Sequence, residues 1–169
     1  MFRRFRRTGA LGACAVAAAA FAGAAAVPAY AHDDGGKTYD FTLYAKEVPG
    51  PNSQESGPPP KVGQVLTFAD DLYKTKGGEK VGRDGVICGV IRVSGDSADV
   101  TCVGTIVLNG GPGGQLAAQA LTHFDTSNET PAAFDIAITG GTGDFKSAHG
   151  YVRSTPDGDY NRMDFHITS

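Results

Sequence analysis

The chain holds none of the usual signatures of a catalytic machine. It has no nucleophile-elbow motif, no zinc signature and no dinucleotide fingerprint, so generic hydrolase and oxidoreductase readings have no support. Tryptophan is absent and cysteine occurs only three times. Beyond the first few residues there is no basic cluster, which argues against nucleic acid as a partner. Only one apolar run is long enough to approach a bilayer span, and it lies at the amino terminus. No segment has the convincing 3.6-residue period of an amphipathic helix.

That amino-terminal run reads as a leader. Arg3, Arg4, Arg6 and Arg7 form a positive n-region, apolar residues follow from Ala10 to Val27, and Ala29-Tyr30-Ala31 is an A-x-A cleavage site. Residues 1–31 are therefore read as a signal peptide cleaved after Ala31, and the protein as secreted. The paired arginines leave Sec and Tat export both open. Leu11-Gly12-Ala13-Cys14 resembles a lipoprotein box but precedes most of the apolar core, so it is set aside. Once the leader is gone, no membrane partner is expected.

The mature domain, residues 32–169, suits one core. Removing the four leader arginines leaves 11 basic residues against 18 acidic ones, a net charge of −7. Such a domain is repelled by anionic membrane surfaces. Cleavage would expose His32, whose amine and ring can chelate copper. A flexible His-Asp-Asp-Gly-Gly tail is a poor preorganised ligand, and His123, His149 and His166 have no paired spacing. Neither a metal nor another cofactor is expected. Asn128-Glu129-Thr130 is a glycosylation sequon, read here as a polar loop.

Alternation marks strands along the mature chain. Tyr39, Phe41, Leu43 and Ala45 share one face of a first strand over Thr38–Lys46. Residues 49–60 form a Pro-rich loop. Further strands are expected over Val62–Phe68, Val86–Val93, Ala98–Leu108, Gln115–Phe124, Phe134–Thr139, Ala148–Arg153 and Arg162–Thr168, with Asp70–Lys80 as a charged connection. Eight short strands with regular turns define an all-β domain, an eight-stranded antiparallel up-and-down β-barrel whose lumen holds side chains or one small ligand. Closure removes edges that invite aggregation.

Two cysteines survive processing, Cys88 and Cys102, and export favours their oxidation. A hairpin centred on Gly95 sets them opposite one another on one side of the sheet, and a disulfide there closes a loop of roughly fifteen residues, worth about 3 kcal/mol. A one-residue slip in register would spoil this. The same hairpin has apolar residues on both faces. Val86, Cys88 and Val90 lie on one, and Ile87, Ile91 and Val93 on the other. One face then lines the lumen, and the other packs against a second subunit or lies under a folded-over loop.

Ala137 to Val152 reads A-I-T-G-G-T-G-D-F-K-S-A-H-G-Y-V. Gly140, Gly141 and Gly143 make a tight corner, and Gly150 marks a close approach of backbones. A phosphate-cradling loop would need a following Lys and a helix, and neither is present. This segment resembles a signature of the allene oxide cyclase and dirigent families, which share a small eight-stranded barrel. Phe68-Ala69-Asp70-Asp71-Leu72-Tyr73 resembles the F-x-x-x-L-Y segment of the cyclases. Val81 to Cys88 resembles their V-G-x-x-x-G-L-C run with Gly85 displaced by one position, and Leu43-Tyr44-Ala45-Lys46-Glu47 resembles their L-Y-x-x-E. These pieces keep their order from Leu43 to Val152.

The resemblance implies an apolar small molecule bound in the lumen and steered through cyclisation, an isomerase-type activity in which positioning carries most of the effect. It makes Glu47 the catalytic carboxylate and a homotrimer the assembly. Two departures stand out. The cyclase pattern has an Asn two residues after the Glu, where this chain has Pro49, which offers no donor. Cys88 matches a free cavity cysteine, which a bond to Cys102 would convert into a staple. The dirigent side implies a secreted barrel that steers coupling of radicals made elsewhere. A non-catalytic barrel binding a ligand or protein is the alternative, and a Glu47 side chain in solvent would favour it.

Overall fold

Residues that alternate between apolar and polar have only one way to satisfy both sets of side chains, a sheet with a dry and a wet face. The computed structural model, which describes residues 36–50, 59–125 and 132–169, folds that sheet onto itself. Eight strands run in chain order: β1 (Thr38–Glu47), β2 (Val65–Tyr73), β3 (Lys80–Ser94), β4 (Ser97–Leu108), β5 (Gly114–Asp125), β6 (Phe134–Gly141), β7 (His149–Asp157) and β8 (Tyr160–Thr168). Each pairs antiparallel with its chain neighbour, and β8 pairs with β1 to close the barrel. The expected up-and-down eight-stranded barrel is the architecture found. Among the described residues no helix is long and apolar enough to cross a membrane. The leader, most of the Pro-rich loop and the sequon lie outside the described residues.

The stretch 70–80 departs from expectation. Its two ends are strand, because β2 runs on to Tyr73 and β3 starts at Lys80, and only the six residues between them form the connection. Ion pairs hold the short link between them. Lys74 Nζ lies 2.8 Å from Glu79 Oε2, and Lys80 pairs with Asp71 across the ladder. Asp71 and Lys80 decorate the outer face of the strand pair, while Asp70 turns inward.

The β3–β4 hairpin turns at Gly95-Asp96. Gly95 has φ 59°, at the position a type II′ turn reserves for glycine. Higher in the ladder Ser94 faces Ser97, and an irregularity between Val90 and Arg92 then restores the register that pairs Cys88 with Cys102. It also turns Val93 to the inner face, where it packs with Val90, Ala98 and Val100. This corrects the placement of Val93 on the outer face with Ile87 and Ile91. The extra residue of a bulge reverses the side-chain parity beyond it.

One end of the barrel is closed by its own side chains. The Gly-rich corner after β6 forms a single 3-10 turn, Gly143–Phe145, which drives Phe145 into the barrel with no exposed surface. Phe145 meets the ring of Tyr39 edge-on at 5.3 Å, and Phe41 stacks on Phe165 at 4.5 Å. Leu43, Leu72, Ile106, Leu116, Val152 and Ile167 belong to the same core. The corner needs its glycines for space as well as for angle. Gly143 has φ 65°, and a side chain on Gly141 would collide with the Phe145 carbonyl.

Candidate functional site

The register fixes which side chains face the lumen. Leu66, Phe68, Asp70 and Leu72 of β2 oppose Cys88, Val86, Asp84 and Gly82 of β3, and Ala45 and Glu47 of β1 continue the rows. At the closed end most such positions are fully buried, with Tyr39 and Phe41 partly so. At the other end Leu66, Val86, Gly104, Ala120, Thr122, Phe134 and Ile136 also point inward but are not fully buried, and Phe68 is 42% exposed. Inward yet solvent-accessible apolar residues define an open cup in the upper lumen. Ala120 supplies room on the β5 wall, whereas the space before Gly104 is filled by Val86, whose Cγ2 would lie 3.1 Å from a Cβ built there.

Three carboxylates sit in one row on the wall of this cup. Glu47 pairs with Asp70 across β1–β2, and Asp70 pairs with Asp84 across β2–β3. Asp84 is only 8% exposed. The Asp70 backbone N–H donates to Asp84 Oδ1 at 3.2 Å. Burial, then the neighbouring Asp70 charge, push the Asp84 carboxyl up to about 7. Asp70 is also raised, first by burial and further by the charges of Glu47 and Asp71, while the hydrogen bond from Asp84 opposes the shift. The pair therefore keeps a proton to well above the usual carboxylate range. A carboxylic acid kept protonated at neutral pH can donate a proton or a hydrogen bond to a bound molecule.

A second polar group faces the lumen from the far side of the ring. Ser154 of β7 lies on the inner face between Phe134 and Met163 and is 6% exposed. Its hydroxyl has no hydrogen-bond partner among the described residues. The strands β3 and β7 are four positions apart in the closed ring of eight, so Ser154 and Asp84 belong to opposite walls.

Glu47 itself lies at the end of β1 and is exposed, the placement that favours a non-catalytic barrel over a catalytic Glu47. It borders the cup, and its charge acts on Asp70. Cys88 and Cys102 face each other on the inner wall with Cα atoms 4.1 Å apart and are bonded to one another. Pro49 is exposed beyond β1. Of the fold-motif glycines, Gly140, Gly141 and Gly143 form the corner at the closed end, and Gly150 lets β7 pass tightly against β8. Sequence reasoning alone does not single out Asp70, Asp84 or Ser154. A signal for the two acids exists. Each occupies the apolar phase of an alternating strand, as in Leu66-x-Phe68-x-Asp70-x-Leu72 and Gly82-x-Asp84-x-Val86-x-Cys88.

Among the described residues no histidine takes part in this cup. His123 Nδ1 lies 2.9 Å from Asp99 Oδ1 and His166 Nδ1 lies 2.8 Å from Asp40 Oδ1, both on the outer surface. Among the described residues no three His, Cys, Asp or Glu side chains converge as metal ligands. A groove of about 650 Å³ runs over the outer wall of β1, β6, β7 and β8. Its charges satisfy one another, Arg153 on Asp135 at 3.0 Å and Arg162 on Asp164 at 2.9 Å, so it presents few free groups for a ligand.

A closed antiparallel barrel with a plugged base, an open apolar cup and acids on its wall defines a class of small lumen-bearing barrels. The family described as allene oxide cyclase barrel like domain matches residues 47–167, and the chain belongs to it. Among solved structures, pyocyanin demethylase is similar at 28% identity with a TM-score of 0.59, covering 76% of this chain and 99% of its own. A pterocarpan synthase dirigent protein is similar in fold, with a TM-score of 0.57 at 21% identity over 79% of this chain and 87% of its own. No curated protein matches the sequence.

Proposed function

We propose that this protein, exported by its leader, binds an apolar small molecule in the upper lumen and steers that molecule's cyclisation or coupling. The observation that carries the reading is the buried Asp70–Asp84 pair on the wall of an otherwise apolar cup. An apolar cavity with a few convergent polar groups and a perturbed acid is the usual form of a small-molecule site. In this reading the walls fix the ligand's conformation, and Asp84 donates its proton where negative charge develops. Glu47, named by resemblance, then acts through Asp70 by keeping a proton in the pair.

The test is binding of N-phenyl-1-naphthylamine, an uncharged probe that fluoresces when it leaves water. The protein should enhance its emission, and Ala120→Phe, which fills the cup, should abolish the enhancement without changing the circular dichroism. Absence of enhancement, or an undiminished signal in the variant, would overturn the proposal.

The 28% identity with pyocyanin demethylase over 99% of that chain favours a second reading, in which the ligand of the cup is pyocyanin or a molecule like it. Displacement of the naphthylamine probe by added pyocyanin would support it, and an emission that pyocyanin leaves unchanged would rule it out.

A further inference from the structure

The inner wall is asymmetric in charge. Followed around all eight strands, the inward positions carry Glu47, Asp70 and Asp84 but no Lys, Arg or His. The strand cations are all turned outward or lie at strand ends, and several are matched there, Lys80 with Asp71, Arg92 with Asp99 and Arg153 with Asp135. Among the described residues Asp84 has no cation for a partner, only Asp70 beside it. From the opposite wall, the Ser154 hydroxyl makes no hydrogen bond to protein among the described residues, and since no fully buried side-chain polar atom there is unsatisfied, it meets solvent. Both polar walls of the cup thus have hydrogen-bonding capacity unused by the protein, and one of them is acidic. A guest that covers these groups displaces their water, so one that supplies partners in its place is favoured over one that does not.

Resting on the reading of the lumen as a ligand site, we infer that the cup selects by charge. Its guest is an apolar molecule bearing a positive charge, held with the charge against the Glu47–Asp70–Asp84 row and a polar atom towards Ser154. A guest ending in a carboxylate, such as a fatty acid, would be set against three acids with no base to receive it, and the lumen rejects it. A cation beside the row lowers the affinity of Asp84 for its proton, so binding expels a proton when Asp84 is protonated beforehand.

Three probes with one three-ring frame test this. N-methylacridinium is the cation, anthracene the neutral form and anthracene-9-carboxylate the anion, each titrated by fluorescence against the purified protein at pH 7.5. The cation should bind at least about tenfold tighter than anthracene, and the anion more weakly than either. The double variant Asp70→Asn, Asp84→Asn should lose the cation's advantage and keep its affinity for anthracene, whereas Asp135→Asn on the outer wall should change nothing. If the double variant does not fold, the same comparison is made on the unaltered protein at pH 5, where protonated Asp84 should shrink the preference. Equal binding of the three, tightest binding of the anion, or a preference that persists in Ala120→Phe would overturn charge selection in the lumen while leaving a lumen ligand in place. Failure of all three to bind would overturn both.

Discussion

Asp70 and Asp84 face each other across two hydrogen-bonded strands, with the Asp70 N–H donating to Asp84 Oδ1 at 3.2 Å. Leu72 and Gly82 lie one step below them on the inner wall, and Phe68 and Val86 one step above. Two like charges in an apolar row are unfavourable for folding, and a shared proton relieves the conflict. A structural role alone would be better served by apolar residues at both positions. The pair therefore has a measurable thermodynamic trace, whatever it does for a ligand.

That trace is a loss of stability as pH rises. Asp84 binds its proton more tightly in the folded chain, at about 7, than in the unfolded chain, at 3.8. Between these values the folded state carries the extra proton, so raising the pH weakens folding, and the loss is complete above the folded value. Its size is of the order of a few kcal/mol at most. Asp84→Asn should remove the effect. Calorimetric melting at pH 5 and pH 8 should show the unaltered protein losing several degrees that the variant retains, and an equal loss in both would assign the slope to other groups.

Gly150 has φ 135°, and a Cβ built on it would collide with the His166 carbonyl oxygen on β8. The obstacle is backbone, so no rotamer change relieves it. Gly150→Ala should cost at least about 2–3 kcal/mol, from strain together with displacement of the β7–β8 ladder. A Cβ placed on Gly85 would meet nothing within 4 Å, and Gly85→Ala should be close to neutral. Urea unfolding of the two variants side by side measures the difference.

Much of this architecture is legible in the sequence because alternation and turn chemistry agree. Tyr39, Phe41, Leu43 and Ala45 announce the inner face of β1, and Gly95-Asp96 places the hairpin that joins Cys88 to Cys102. The segment 70–80 misleads because Asp70 and Asp71 are adjacent and look equally solvated. In the fold Asp71 pairs outward with Lys80 while Asp70 turns inward. Charge in a window of sequence does not reveal which face of a strand bears it, and burial of a carboxylate depends on a partner from another strand. Ser154 is hidden for the same reason, since small polar residues are common on wet faces. The bulge beside Ile91 is illegible because it reflects the fit between two strands.

The disulfide spans 14 positions and ties two strands already paired in register. Its contribution comes from restricting the unfolded chain, about 3 kcal/mol in the loop-closure view. Cys88→Ala with Cys102→Ala should lower the melting temperature by roughly ten degrees for a domain of this size and leave the barrel's far-ultraviolet spectrum intact. Reductant should lower the melting point of the unaltered protein and leave that of the double variant unmoved.

Ile87 and Val103 stand directly opposite each other on the outer wall, 56% and 57% exposed, with Val65, Ile91 and Leu121 exposed on the same side of the barrel. Contiguous apolar area of this kind on a sheet face is a feature of surfaces that are covered in use. The opposite wall, over β6, β7, β8 and β1, carries paired charges instead. We propose that further copies of the chain cover the apolar wall, in the homotrimer that the family resemblance implies. Ile87→Glu with Val103→Glu places two acids where the contact would be dry, and separation of the subunits is the expected result. Light scattering coupled to gel filtration reads the mass directly. A trimer that becomes a folded monomer in the variant supports the assembly. An unaltered protein that is monomeric at every concentration tried rules it out, and an oligomer untouched by both glutamates moves the interface to another wall.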